Sequence, residues 1–180
     1  MGEEEVKRVM LIGSPGSGKS TMSRELAEIL KLDLYHLDNL FWSPGWVMAS
    51  REKQIEITKE LIKQDKWIID GNYNGTIDLR LERADFVVFF DLPRRVCMYR
   101  IFKRMIQYRG QRRPDLNAGT ERFSWEFIKY VWDFRKSKQP GVYKHLRNYP
   151  TKTVVIIRTR READEFLKQI RRDKHHYKVG

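Results

Sequence analysis

Apolar residues along the chain fall into short unbroken runs, separated by longer stretches where they recur every three or four positions. The runs Val9-Met10-Leu11-Ile12, Trp67-Ile68-Ile69 and Phe86-Val87-Val88-Phe89-Phe90 lack the polar alternation of a half-exposed strand, so they predict strands buried on both faces. Residues 33–37 and 153–157 are weaker β-prone segments that bring the set to five. The periodic stretches predict helices over 20–30, 51–64, 76–83 and 122–138, a closing helix over 162–170, and another beginning at Pro93, where a missing N–H is tolerated. Residues 38–46 read as an aromatic loop punctuated by Pro44-Gly45, and 110–119 as a polar, turn-rich mobile loop.

Strands that alternate with helices imply a parallel sheet covered on both faces. With right-handed crossovers the expected fold is α/β, a three-layer doubly wound five-stranded parallel sheet that binds ligands beyond the carboxyl ends of its strands. Asp38, Asp70 and Asp91 each follow one of the expected strands. No repeat or low-complexity block divides the chain, so 1–180 is expected to form one domain, with an arginine-rich mobile lid over about 108–122.

Between the first strand and the first helix lies Gly13-Ser14-Pro15-Gly16-Ser17-Gly18-Lys19-Ser20, then Thr21. This spacing, in this strand-to-helix context, identifies a phosphate-binding loop of the P-loop NTPase kind. Glycines let successive backbone N–H groups curl around a phosphate, and the helix N-terminus adds its positive end. Lys19 is the candidate bridge between the β- and γ-phosphates of ATP, and the Ser20 hydroxyl the candidate Mg²⁺ ligand.

Phosphoryl transfer further needs a carboxylate in the metal shell, a group that orients the nucleophile, and cations for the charge that spreads over the transferring group. Asp70, which ends an apolar strand and enters a turn at Gly71, is the better Walker-B-like candidate for Mg²⁺, against a plain turn or capping role. Asp38 is a candidate to accept a proton from a substrate hydroxyl or to hold a magnesium water, against a turn role. Asp91 is expected to cap the helix that starts near Pro93. Trp42 and Trp46 suit an acceptor-binding wall or the core. Arg100 and Arg104, one helical turn apart, are expected to act with Arg109, Arg112, Arg113 and Arg135 as a lid over the phosphates.

The formal charge of +12 opens a second route, an alternative in which a nucleotide-binding protein engages DNA non-specifically through its basic surface. Eight cations and no acid lie in residues 92–114. No helix-turn-helix or zinc pattern supports sequence-specific reading. The single cysteine, Cys97, excludes an intramolecular disulfide, and the four histidines lack metal-ligand spacing. The first residues are acidic and no apolar run approaches the length of a membrane span, so a cytoplasmic location without membrane contact is expected.

On Gly13 to Thr21, Leu37-Asp38 with Trp42 and Pro44-Gly45-Trp46, Trp67-Ile-Ile-Asp-Gly-Asn-Tyr73, Arg83-Ala84-Asp85 before Asp91-Leu-Pro93, and the Arg100/Arg104 helix, the chain resembles the small P-loop kinases of the adenylate and shikimate kinase type. Within these it is most similar to the bacterial topology-modulation (FlaR-type) branch. The resemblance implies an ATP- and Mg²⁺-dependent kinase acting on a small-molecule acceptor, with Gly13 to Thr21 on ATP, Arg100 and Arg104 on the lid side and Arg135 on the returning lid helix. It places Asp38, Asn72 and Tyr73 with the acceptor. The chain lacks the longer monophosphate-binding insert of adenylate kinases after its second strand.

Overall fold

A computed structural model describes residues 6–109 and 124–173. Its main sheet has five parallel strands: β1 (Arg8–Gly13), β2 (Leu34–His36), β5 (Trp67–Asp70), β6 (Phe86–Phe90) and β7 (Thr153–Ile157). They lie in the order β2-β5-β1-β6-β7, so the chain reverses direction across the sheet on either side of β1. That reversal opens a crevice at the carboxyl end of β1, where the glycine-rich loop begins. β1, β5 and β6 are almost wholly buried, as their unbroken apolar runs require.

The helices are α1 (Lys19–Leu30), α2 (Leu37–Phe41), α3 (Arg51–Ile62), α4 (Ile77–Arg83), α5 (Arg94–Gln107), α6 (Trp125–Ser137), α7 (Gln139–Arg147) and α8 (Arg160–Arg172). The sheet separates two apolar clusters. One face packs Val9, Leu11 and Val88 with Leu26, Ile101, Val131 and Leu167; the other packs Met10, Ile12 and Phe89 with Leu37, Phe41, Ile77 and Val142. Alternate residues of one strand thus feed opposite cores, the two-residue period of a covered parallel sheet.

Two segments differ from expectation. Residues 38–46 are not a plain loop: α2 is followed by a hairpin of β3 (Trp42–Ser43) and β4 (Val47–Met48), with Asp38 in the first turn of α2. α7 has no counterpart among the expected elements; its Pro140 lies in the first helical turn, where a proline loses no hydrogen bond. Of the expected lid over 108–122, only Tyr108 and Arg109 fall within the described residues; Arg112 and Arg113 lie outside them. Among the described residues no helix is long and apolar enough to cross a membrane.

Candidate active site

The loop from Gly13 to Gly18 turns tightly against its surroundings. Gly16 has a φ of +74°, and a Cβ there would stand 2.6 Å from the Cys97 carbonyl oxygen on α5, so only glycine fits. Gly18 caps α1 in a left-handed conformation. From α5, Arg100 Nη1 donates to the Ser17 carbonyl at 2.8 Å, and Lys19 Nζ donates to that of Ser14 at 2.9 Å. Desolvation pulls the Lys19 ammonium below its ordinary pKa; the charges of Asp70 and then Asp38 oppose this, and Arg104 reinforces it. Lys19 therefore senses all three side chains, which come from β5, α2 and α5.

Asp70 closes β5 beside the loop and is 4% exposed. Its Oδ2 accepts from Ser20 Oγ at 2.8 Å and pairs with His36 Nδ1 at 3.0 Å. Burial pushes this carboxyl up, but the His36 hydrogen bond, the charges of Lys19 and His36, and the Ser20 hydroxyl together hold it below the usual carboxylate value. It is ionised at neutral pH. Among the described residues no cluster of three or more His, Cys, Asp or Glu is arranged to hold a metal. The hard oxygen pair of Ser20 and Asp70 suits Mg²⁺, an ion held by one or two protein oxygens and otherwise by phosphates and water.

Asp38, in the first turn of α2, also lies within electrostatic reach of Lys19. Leu37 and Phe41 anchor α2 in the core, and the Phe41 ring meets Tyr73 edge-on at 4.6 Å. Trp42 Nε1 donates to the Tyr73 hydroxyl at 2.9 Å, and that hydroxyl donates to Asp38 Oδ1 at 2.6 Å. The direction is unambiguous, because an indole N–H only donates and a carboxylate only accepts. Burial first, then the Asp38 charge, push the Tyr73 phenol well above its ordinary pKa, so it stays protonated. Trp46 meets Trp42 edge-on at 5.9 Å, giving the hairpin an aromatic face. Asn72 Nδ2 donates to the Tyr130 hydroxyl of α6 at 3.4 Å.

Arg80 is a neighbour of the candidate site that sequence reasoning missed. It is fully buried, and its guanidinium donates to the carbonyls of Gly71 (2.8 Å), Tyr73 (3.0 Å) and Thr76 (3.3 Å). Burial pulls its pKa down to about 9, against the pull of Asp70 and Tyr73, and it remains charged at neutral pH. A signal was present: Arg80 shares the helical spacing of the buried residues Ile77, Leu81 and Ala84.

The expected cap role of Asp91 is not observed. Pro93 occupies the cap position of α5, while Asp91 accepts hydrogen bonds from Gln139 and from the Tyr143 hydroxyl (2.8 Å). Arg135 and Arg158 each approach it at 3.9 Å. Asp91 stands two residues before that cap position, and its carboxylate is taken up by partners that gather α6, α7 and the end of β7. Arg135 thus sits at Asp91, and both line a small cavity with Ser14 of the loop. Arg104 places its guanidinium 6.0 Å from the Phe127 ring centre.

Comparison with known proteins adds independent ground. No family model matches the chain. The shikimate kinase of Clostridium botulinum ATCC 19397 (type A) is 30% identical over 169 residues, covering 85% of this chain and 95% of that protein. The enzyme from strain Okra (type B1) is 31% identical over 140 residues, 69% and 79% of the two chains. The chain belongs to the shikimate kinase family. In fold it matches an Acinetobacter baumannii shikimate kinase solved in complex with shikimate, with a TM-score of 0.62 at 19% identity, over 97% of this chain and 96% of that one. Membership in this family of small P-loop kinases makes the chain an ATP-dependent kinase. The closer tie to topology-modulation proteins and the DNA alternative draw no support from these relatives.

Proposed function

We propose that the chain transfers the γ-phosphoryl group of ATP to a hydroxyl of a small ring-shaped acceptor bound beside Asp38. The observation that carries this reading is the Trp42–Tyr73–Asp38 chain of hydrogen bonds, placed within the electrostatic reach of the same Lys19 that belongs to the phosphate loop. In this reading Gly13, Ser14, Pro15, Gly16, Ser17, Gly18 and Thr21 shape the ATP cradle, and Lys19 spans the β- and γ-phosphates. Ser20 and Asp70 would hold Mg²⁺, which supplies charge neutralisation of the phosphate oxygens.

Tyr73 occupies Oδ1 of Asp38 and leaves Oδ2 to the acceptor. The acceptor hydroxyl gives its proton to Oδ2 while its oxygen bonds to the γ-phosphorus, and the bond from that phosphorus to the bridging oxygen breaks, releasing ADP. Arg100 and Arg104 place positive charge beside the loop for the transferring group. Arg135, held near Asp91, sits at the Ser14 rim of the loop as part of the closing side. Trp42, Trp46, Asn72 and Tyr73 form the acceptor wall, whose flat aromatic faces favour a ring. The negative charge of Asp38 disfavours a doubly charged phosphate there more than a single carboxylate or a neutral ring, so shikimate and nucleosides are better candidates than nucleoside monophosphates.

ATP turnover with Mg²⁺ is measured against shikimate, nucleosides, nucleoside monophosphates and, separately, plasmid DNA. Stimulation by one hydroxylated ring compound, abolished in a folded Lys19→Ala variant, is the expected result. Stimulation by DNA alone, or full turnover in that variant, refutes the reading.

A further inference from the structure

The two oxygens of Asp70 have unequal surroundings. Oδ2 takes both hydrogen bonds, from Ser20 on α1 and from His36 on β2. Oδ1 is buried with no hydrogen-bond partner in the protein. The arrangement is set by the sheet rather than by a loop: β2 and β5 run parallel with His36 in register beside Asp70, and Leu11 of β1 flanks Asp70 on the other side. Asp70 is ionised and can only accept, so the proton between them sits on Nδ1 of His36. Bulk water cannot orient a carboxylate this deeply buried, and a buried charge must be held by fixed donors.

We propose that His36 is the positioning residue of the metal site: its Nδ1–H pins Asp70 Oδ2 beside Ser20, so that Oδ1 is presented to Mg²⁺ or to a water bound to it. The inference rests on the assignment of Asp70 to the metal shell made above. Outer donors that hold a ligating carboxylate raise metal affinity because they fix which oxygen the ion meets. Without the imidazole, Ser20 alone would hold Oδ2 and the carboxylate could turn about its Cβ–Cγ bond, trading the two oxygens. A purely structural His36 would instead serve to stabilise β2 against β5, with no effect on metal binding once the protein is folded.

The test uses Mn²⁺ as the probe and a non-hydrolysable ATP analogue, with free Mn²⁺ read by electron paramagnetic resonance. Wild type, His36→Phe, His36→Asn and Asp70→Asn are compared, and analogue binding in EDTA is measured for each by tryptophan fluorescence. His36→Phe should weaken Mn²⁺ binding to the nucleotide complex by about 10- to 100-fold. His36→Asn, whose amide can donate from nearly the position of Nδ1, should recover most of that loss, while analogue binding in EDTA stays unchanged in both His36 variants. Wild-type Mn²⁺ affinity in folded His36→Phe, or no recovery in His36→Asn, overturns the proposal. If Asp70→Asn loses Mn²⁺ while His36→Phe does not, the role of His36 falls and that of Asp70 stands. Unchanged affinity in Asp70→Asn removes Asp70 from the metal shell, and the role of His36 with it. Should thermal melting show that His36→Phe does not fold, His36→Ala takes its place in the same assay.

Discussion

Arg80 shows how one buried charge can build a site without touching a ligand. Its guanidinium fork satisfies three carbonyls between Gly71 and Thr76, the stretch that carries Asn72 and Tyr73. Replacing it with Met would leave those acceptors buried and unpaired, at a cost on the order of 3 kcal/mol or more. Urea denaturation of Arg80→Met should show that loss, and Arg80→Lys should recover little of it, because a single ammonium cannot span three acceptors in a fork. At Asp38 the expected consequence is kinetic: Asp38→Asn should lower kcat by about 100-fold or more, with ATP binding retained. Steady-state kinetics with the stimulating acceptor checks both parts. The motif spacing alone made Lys19 and Ser20 legible in the sequence, and the strand-end position did the same for Asp70. His36, Arg80 and Tyr130 were not legible as part of the site, since their partners lie 34, 9 and 58 positions away and meet only through strand register or tertiary packing.

At the level of elements, one dipeptide has two outcomes. Pro44-Gly45 does mark a turn, with Gly45 at a φ of +86°, but its flanking strands are two residues each, too short for any alternation to register. Pro140-Gly141 opens a helix instead, because α7 docks Val142 and Leu146 against the core and tertiary burial outweighs local propensity. The longer runs were legible because three to five apolar residues in unbroken sequence leave few alternatives. α6 is held at its start by Ser124, whose hydroxyl accepts from the Phe127 N–H at 3.2 Å. Ser124→Ala should reduce stability by about 1 kcal/mol in chemical denaturation. Its apolar side explains the expected helix over 122–138: Ile128, Val131 and Phe134 complete the core, while Trp125 and Trp132 remain exposed.

For the whole molecule, the sheet order brings the phosphate loop, β5 and α2 to one end, and this is why two carboxylates, Asp38 and Asp70, and Lys19, far apart in sequence, share one region. A ligand that binds only the folded state stabilises it by mass action, by about 2.7 kcal/mol at a hundred times its dissociation constant. For a chain of this length that corresponds to a rise in Tm of roughly 5–11 °C. Saturating ATP with Mg²⁺ should therefore raise Tm by several degrees in wild type and by much less in Lys19→Ala, as read by scanning fluorimetry. The net charge of +12 favours solubility and attraction of polyanions in general, which is why composition alone pointed to DNA as readily as to a nucleotide. Cys97, whose carbonyl closes over Gly16, is the only thiol in the chain; it is buried, and that burial raises its pKa. The protein is consequently a clean background for site-directed labelling: a cysteine introduced at the exposed Val47 of the hairpin would take a thiol-reactive dye without a competing native site, and its emission would report on the proposed acceptor side as substrates are added.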